Sequence, residues 1–181
     1  MTYNMIIEVK EKGTKKYCKE VVNVISQYRQ LIKKPEAKLK DNFKSFPIWT
    51  GVMAGLFIIW LLDGIFNGFN VWTGVVLVIT GLALLLLIVY QINMNKMVIA
   101  YLNDNRTSTV TLDEKGVELN KGGSQVIRVG WNDVTVVRSF KESTCFLAKN
   151  VTGFVIAVTS RYNDDIMKYL EDNHVGVRVV R

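Results

Sequence analysis

The strongest constraint on this chain is a stretch of fifty residues, 46–95, that contains one charged side chain, Asp63. Such a stretch cannot form the surface of a soluble domain, because water-facing positions are mostly polar or charged. The chain as a whole has 181 residues and an ordinary apolar content of 49%. The placement of the apolar residues therefore excludes a fully soluble enzyme, a disordered tail and a small secreted protein.

The stretch is long enough for two membrane crossings, because about 20 helical residues cross a hydrocarbon layer about 30 Å thick. We expect spans at 46–62 and 71–92, joined by a turn at 63–70 that is rich in glycine and asparagine. The alternative is a helical hairpin buried in a soluble core, but residues 82–89 are apolar on every face. Aromatic side chains that prefer the headgroup layer lie near the expected span ends: Trp49, Trp60, Trp72 and Tyr90.

Positive charge flanks the spans on one side only. Lys96 follows the second span, whereas the turn between the spans contains only Asp63. The positive-inside rule then predicts that both termini lie in the cytoplasm and that the turn lies outside. A cleavable signal peptide is not expected, because the first 45 residues are polar. Five lysines before the first span are predicted to contact anionic lipid headgroups: Lys33, Lys34, Lys38, Lys40 and Lys44.

Two features inside the hydrophobic stretch leave alternatives open. Gly51 and Gly55 form a small-xxx-small pair that lets another helix approach closely. That helix is either the second span, near Gly74 or Gly81, or the first span of another copy in a homodimer. Asp63 would suggest an ion path within a membrane, but beside a glycine at a span end it is expected to be a solvated loop residue.

Residues 1–45 predict a strand followed by an amphipathic helix. Apolar and polar residues largely alternate over 3–9, which is typical of a half-buried strand. Apolar residues then recur every three to four positions over 14–32, and Pro35 ends that pattern. The helix has two placements: on the inner leaflet, or on the apolar face of the C-terminal domain.

Residues 96–181 predict a small antiparallel β domain. The turns at 113–116 and 121–123 contain glycine, which accepts the backbone angles that hairpins require. A helix with Asn163 as its N-cap and a short strand within 174–180 follow, so we expect a barrel or half-barrel with a helix at one open end. The predicted strands are short β-branched runs: 107–113, 117–121, 124–131, 134–140, 143–149 and 153–160.

The order of these parts resembles the YcxB-like family of small bacterial membrane proteins. The likeness rests on two spans followed by a β meander, a helix, and the family's W-x-D-I/V pattern, matched by Trp131, Asp133 and Val134. Residues 159–161 depart from the family, which often has a basic pair there. The resemblance implies a location in the bacterial inner membrane and a cytoplasmic domain like a pleckstrin-homology (PH) barrel, with Trp131 in its structural core. It implies no activity, because the family has no agreed one.

No motif in the sequence carries catalytic chemistry, so no catalytic residue, metal or cofactor is predicted. Cys18 and Cys145 lie 127 positions apart, which fits neither a metal site nor a disulfide framework and suits a reducing compartment. Cys145 is expected to be a buried small hydrophobe and His174 a surface residue. The basic residues of the C-terminal domain are expected to form a solvated face, not a nucleic-acid site: Arg128, Arg138, Lys141, Lys149 and Arg161.

The sequence therefore predicts a non-enzymatic interaction module with three regions: 1–45, the hairpin 46–95 and the β domain 96–181. The lipid bilayer is the expected partner of the hairpin, and a protein or a lipid that of the β domain. The alternative is an immunity protein that protects the cell from a membrane-active toxin or bacteriocin. A membrane enzyme or transporter is disfavoured because the spans lack polar residues along a path. Homo-oligomerisation is left undecided.

Overall fold

A computed structural model describes residues 4–9, 14–104, 108–122, 125–149, 155–173 and 175–181 of the chain. Their contacts divide the chain into two compact units. The hairpin unit is Asp41–Met97, and the β unit combines Met1–Lys40 with Val98–Arg181. The N-terminal segment and the C-terminal domain, which the sequence placed in different regions, thus belong to one compact unit.

The helices and strands of the described residues follow the predicted order closely. In chain order they are β1 Met5–Val9, α1 Lys15–Ser26, α2 Tyr28–Lys33, α3 Asn42–Asn67, α4 Val71–Asn103, β2 Ser108–Asp113, β3 Gly116–Lys121, β4 Gln125–Gly130, β5 Val134–Ser139, β6 Ser143–Ala148, β7 Val155–Thr159, a 3₁₀ turn Ser160–Tyr162, α5 Asn163–Asp172 and β8 Arg178–Val180.

The hairpin unit contains α3 and most of α4, both long and apolar enough to span a bilayer. Their 26 and 33 residues correspond to about 39 and about 50 Å of helix. Only 6% of the most apolar window of each helix is buried within the structure. Because their apolar side chains face outward, these helices do not form the buried core hairpin of a soluble protein.

The connection between the two long helices is shorter than predicted. α3 continues to Asn67, so Asp63 lies within the helix and not in a loop, and its Oδ1 accepts a hydrogen bond of 2.8 Å from Asn67 Nδ2. Residues 68–70 are sufficient to reverse the chain because Gly68 adopts a φ of 87°, which favours glycine. Asn70 Oδ1 then accepts from the backbone N–H of Thr73 at 2.8 Å, which caps the start of α4.

The β unit consists of two four-stranded sheets, in the orders β1-β2-β3-β4 and β7-β6-β5-β8. Neighbouring strands are antiparallel except for β5 and β8. Among the described residues no pairing joins β4 to β5, so the sheets stay open and do not form the closed barrel that was one of the expectations. A turn at 131–133 separates β4 from β5. In it the Asp133 N–H donates to the Gly130 carbonyl at 2.9 Å as the chain leaves the first sheet.

The main core lies between the two sheets and α5. Trp131, predicted to be a core residue, packs against this core but remains partly exposed. Its ring centre lies 6.5 Å from that of Phe146, and its indole Nε1 donates to the Asp113 carbonyl at 2.8 Å. The most deeply buried members of the core come from both sheets and α5: Ile7, Val110, Leu112, Val117, Val137, Phe146, Ile156, Val158, Ile166 and Leu170.

The N-terminal helices cover the outer face of the second sheet, which decides between the two predicted placements. Val24 and Leu31 pack in a second cluster with residues of β5 and β6. Tyr17 donates its phenol to the Ala157 carbonyl at 2.9 Å, and Tyr28 donates to the Ala148 carbonyl. The apolar stripe of the predicted helix therefore packs on the second sheet, and the polar face of the helix points outward.

The start of α5 differs from the prediction. Asn163 is the first helical residue and not the N-cap, because a 3₁₀ turn precedes it. Its side-chain oxygen instead accepts hydrogen bonds from Ser139 Oγ and from Thr144 Oγ1, so it ties the helix to the second sheet. The last strand is limited to β8, and His174 lies outside the described residues, as do residues 153–154 of the predicted strand 153–160.

Replacing Trp131 by alanine is expected to destabilise the β unit by about 2–4 kcal/mol, because the change removes a large partly buried ring and its hydrogen bond. Trp131→Phe, which keeps a ring, should cost less. Urea titration of the full chain in detergent, followed by amide hydrogen exchange in β3 and β4, measures both. Unchanged exchange in Trp131→Ala would show that the tryptophan does not support this core.

Candidate functional site

The candidate site is a lysine-bearing segment of the β unit, residues 33–40, which begins at the last residue of α2 and is called the lysine segment below. Pro35 is buried and ends the helix, since proline disfavours a helical conformation in the residue before it. The side chains of Lys33, Lys34, Lys38 and Lys40 are exposed. The backbone between these lysines is held in place by side chains from elsewhere in the β unit.

Gln27 holds the end of the lysine segment with two reciprocal hydrogen bonds. Its Nε2 donates to the Lys40 carbonyl at 2.7 Å, and its Oε1 accepts from the Lys40 N–H at 2.9 Å. Gln27 is also the residue at which α1 ends and α2 begins. The break in the predicted long helix therefore places an amide side chain where it satisfies both backbone groups of Lys40.

Arg138 holds the middle of the lysine segment. Its Nη1 donates to the carbonyls of Pro35 and Ala37, the latter at 2.7 Å. The guanidinium also lies 4.8 Å from the centre of the Phe140 ring. Burial lowers the pKa of Arg138, but an arginine stays protonated at neutral pH. Arg138 is thus a structural clamp, and the prediction that it belongs to a solvated basic face is wrong.

A third contact, the ion pair between Glu36 and Arg178, joins the lysine segment to β8. The carboxylate and the guanidinium are 2.8 Å apart, but the side chains are 77% and 55% exposed, so the pair contributes little stability. The order of the segment depends mainly on Gln27 and Arg138. The outcome is a fixed backbone that presents four ammonium groups to solvent.

The fifth predicted lysine, Lys44, belongs to the hairpin unit. It lies in the first turn of α3 and is exposed. Asp41 caps this helix, because its Oδ1 accepts a hydrogen bond of 3.1 Å from the Phe43 N–H. Lys44 thus lies beside the first apolar residues of α3, where a lysine reaches the headgroup layer of a bilayer.

The predicted packing of Gly51 and Gly55 against the second span is not found. A Cβ atom added at either glycine would meet no atom within 4 Å. Close approach of the helices occurs instead at Gly81, where an added Cβ would lie 3.3 Å from the Phe57 ring. Both glycines of the pair therefore lie on open parts of α3.

The hairpin unit also has an apolar recess of about 470 Å³. The rings of Phe46 and Tyr90, 4.5 Å apart, form part of its wall. No charged side chain lines the recess, so it has the chemistry of a lipid-facing or helix-facing surface and not of an active site. Its lining residues are Phe46, Trp49, Met53, Ala83, Leu86, Leu87 and Tyr90.

The described residues of the β unit offer no assembled catalytic group. No three of its described His, Cys, Asp or Glu residues are placed to share a metal ion. Cys145 is fully buried, and desolvation raises the pKa of its thiol to about 12, so it is protonated at neutral pH. The void between the sheets beside Phe146 has no room for a water molecule. Cys145 is thus a buried small residue, as expected.

Arg128, on β4, is another of the predicted basic residues with defined partners. It pairs with Asp113, at the end of β2, and at 3.7 Å with Glu118 on the adjacent strand β3. The Arg128 guanidinium and backbone hydrogen bonds in the turn lower the pKa of Asp113 despite an opposing contribution from desolvation. The charge of Arg128 is therefore balanced by carboxylates of the same sheet.

Sequence reasoning found the lysines but missed the residues that hold them. Arg138 is separated from its two carbonyl partners by more than one hundred positions. Gln27 lies inside the predicted helix and is 13 positions from Lys40. Neither contact leaves a local signature, because a backbone carbonyl accepts from any donor that the fold brings near it.

Comparison of the chain with protein families, with curated proteins and with solved structures finds no match. The function of the chain is therefore inferred from its own residues and geometry.

Replacing Arg138 by methionine is expected to destabilise the β unit by about 1.5–3 kcal/mol, because the Pro35 and Ala37 carbonyls lose a charged donor. Amide exchange in residues 34–40 of the full chain should accelerate. Arg178→Met is the matched control: it removes only an exposed ion pair and should cost less than about 1 kcal/mol. Equal effects of the two substitutions would contradict the clamp role of Arg138.

Proposed function

We propose that this protein is a non-enzymatic interaction module of the bacterial inner membrane. The hairpin unit anchors the chain in the bilayer, and the β unit is presented to the cytoplasm as a PH-like domain. The partner is a protein or a lipid that meets the β unit at the membrane. The likeness to YcxB-like proteins is part of this proposal.

The observation that carries the proposal is the pairing of strands from both sides of the hairpin. β1 precedes the hairpin and β2 follows it, and the two pair in register from Met5↔Leu112 to Val9↔Ser108. The residues on both sides of the hairpin must therefore be on the same side of any membrane that it crosses. Only an even number of crossings allows this, and two apolar helices provide it.

The charge distribution supports the cytoplasmic side. The hairpin unit has two basic and two acidic residues, whereas the β unit has 21 basic and 14 acidic residues and a net charge of +7. Positive charge near a span favours retention on the cytoplasmic side. Each lysine near an anionic leaflet adds about 1 kcal/mol of attraction, so the fixed lysine segment strengthens the same orientation.

The two-sheet architecture supports a binding role over a catalytic one. A meander of short antiparallel strands with a C-terminal helix presents edges and faces, and its interior beside Phe146 is filled with side chains. Interaction with a partner would therefore use the outside of the β unit. Binding on the outside of the β unit would not involve the thiols of Cys18 and Cys145, which are buried.

The membrane topology is tested with reporters fused to the full chain. A fluorescent protein after Arg181 should fluoresce, and an alkaline phosphatase inserted after Gly68 should be active, because the turn lies outside and the C-terminus inside. The protein should stay with membranes after alkaline carbonate washing. Loss of fluorescence after Arg181, an inactive phosphatase after Gly68, or release without detergent would contradict the proposal.

The lysines are tested in the same assay by replacing all five with glutamine, which should give a mixture of orientations as the charge bias falls. The matched control replaces five lysines of the β unit that are far from the spans in sequence and should leave the orientation unchanged. The control positions are Lys115, Lys121, Lys141, Lys149 and Lys168.

The interaction role is tested by crosslinking intact membranes and capturing the tagged full chain. Trp131→Ala, which disrupts the β unit, should abolish recovery of the partner, whereas Trp49→Ala on the exposed surface of α3 should not. The ratio of recovered partner to captured chain is measured by mass spectrometry. Equal recovery by wild type and Trp131→Ala would place the interaction outside the β unit, and no specific partner with wild type would contradict the proposed role.

A further inference from the structure

The outer edge of β4 presents a row of backbone groups that no described residue uses. The hydrogen-bonding pattern between β3 and β4 can be read from the Trp131 N–H, which donates to the Lys115 carbonyl at 3.3 Å. In an antiparallel pair the hydrogen-bonded residues alternate, so Val129 and Ile127 bond to β3. The N–H and C=O groups of Val126 and Arg128 therefore point away from the sheet.

The two ends of this ladder agree with that alternation. The Gly130 carbonyl accepts from Asp133 instead of from β3, and the Gly116 N–H donates to Asp113 Oδ1 at 3.0 Å. Gly116 and Gly130 are thus a pair without mutual hydrogen bonds, as the alternation requires. Val126, on this edge, has a side chain that is 58% exposed.

The second sheet has less accessible edges. On β7 the Ala157 carbonyl accepts from Tyr17, and α1 packs beside the strand. β8 has only three residues; Arg178 at its start pairs with Glu36, and Arg181, directly after it, pairs with Glu171. β4 has six residues, no proline and no bulge in its pairing with β3. Proteins normally block such an edge, because it invites another strand.

The charge of the β unit selects among extended partners. The N-terminal segment belongs to the same unit as the C-terminal strands, and together they have a net charge of +7. At low ionic strength this field accelerates the approach of an acidic segment and slows that of a basic one. Arg128 at the edge is already paired within the sheet. The side chain that remains for contact with a bound strand is Val126, which suits a partner with apolar residues at alternate positions.

We propose that the outer edge of β4 binds an extended, acidic segment of a partner protein by strand addition. The segment continues the first sheet beyond β4 and takes the backbone groups of Val126 and Arg128. Its apolar residues pack beside Val126, and its carboxylates are attracted by the charge of the unit. This inference rests on the proposed role as an interaction module and identifies the surface and the kind of partner.

The test uses the full chain in nanodiscs of zwitterionic lipid and three ten-residue peptides. The first alternates valine with glutamate, the second alternates valine with lysine, and the third has proline at the two central valines of the acidic peptide. The acidic peptide should bind at least about ten-fold more tightly than either of the others at low salt. It should also slow amide exchange at Val126 and Arg128.

Two proline variants locate the binding edge. Val126→Pro removes an outward N–H without breaking a bond within the sheet, which an edge strand tolerates. Ile6→Pro is the matched change on β1, the opposite edge of the same sheet, where the alternation also points the N–H outward. The first should weaken acidic peptide binding about ten-fold, and the second should leave it unchanged.

Several outcomes would overturn the edge assignment. These are no binding of the acidic peptide, protection at β1 instead of β4, or equal effects of the two proline variants. Protection of Val126 and Arg128 without peptide, together with dimers in the nanodisc, would show that a second copy occupies the edge. If crosslinking still recovers a partner that Val126→Pro does not affect, the edge assignment alone fails and the proposed function stands.

Discussion

The structure depends on one constraint: the chain leaves a β sheet to form an apolar hairpin and must return to the same sheet. β1 and β2 are neighbours in the first sheet, yet 98 residues separate Val9 from Ser108. The length and apolar surface of α3 and α4 suit a bilayer, and strand pairing joins the residues before and after them in the β unit. The two are compatible only if the hairpin reverses direction, as the turn at Gly68 allows.

The return of the chain also changes the character of the β unit. Its second sheet has an apolar outer face that α1 and α2 cover, with Tyr17, Tyr28 and Glu20 making the polar contacts. The carboxylate of Glu20 accepts from Ser143 Oγ at 2.7 Å, which joins α1 to β6. Covering this face brings most of the N-terminal positive charge onto the β unit.

The same contacts explain why one part of the surface is fixed and another is open. Arg138 and Gln27 satisfy the carbonyls of the lysine segment, so its lysines project from an ordered backbone. At β4, in contrast, the described residues offer no donor or acceptor for the outward groups of Val126 and Arg128. A fixed, lysine-bearing segment and a strand edge without described partners thus occur within one unit.

Much of this architecture could be predicted from the sequence. Hydrophobic length predicted two spans, because a charge in hydrocarbon is costly and residues 46–95 contain only one. Alternation and glycine turns predicted all of the strands from β2 to β7 to within two residues, because these signals are local. The five lysines and the burial of Cys145 were also evident from their surroundings in the sequence.

The tertiary structure decided what depends on distant partners. The helix at 14–32 had an apolar stripe that fits lipid or protein equally, and only the second sheet shows which one it covers. Arg138 had the same sequence context as the exposed basic residues, yet two carbonyls more than one hundred positions away make it a clamp. The open edge of β4 likewise follows from sheet order, which is a property of pairing over long distances and not of any one strand.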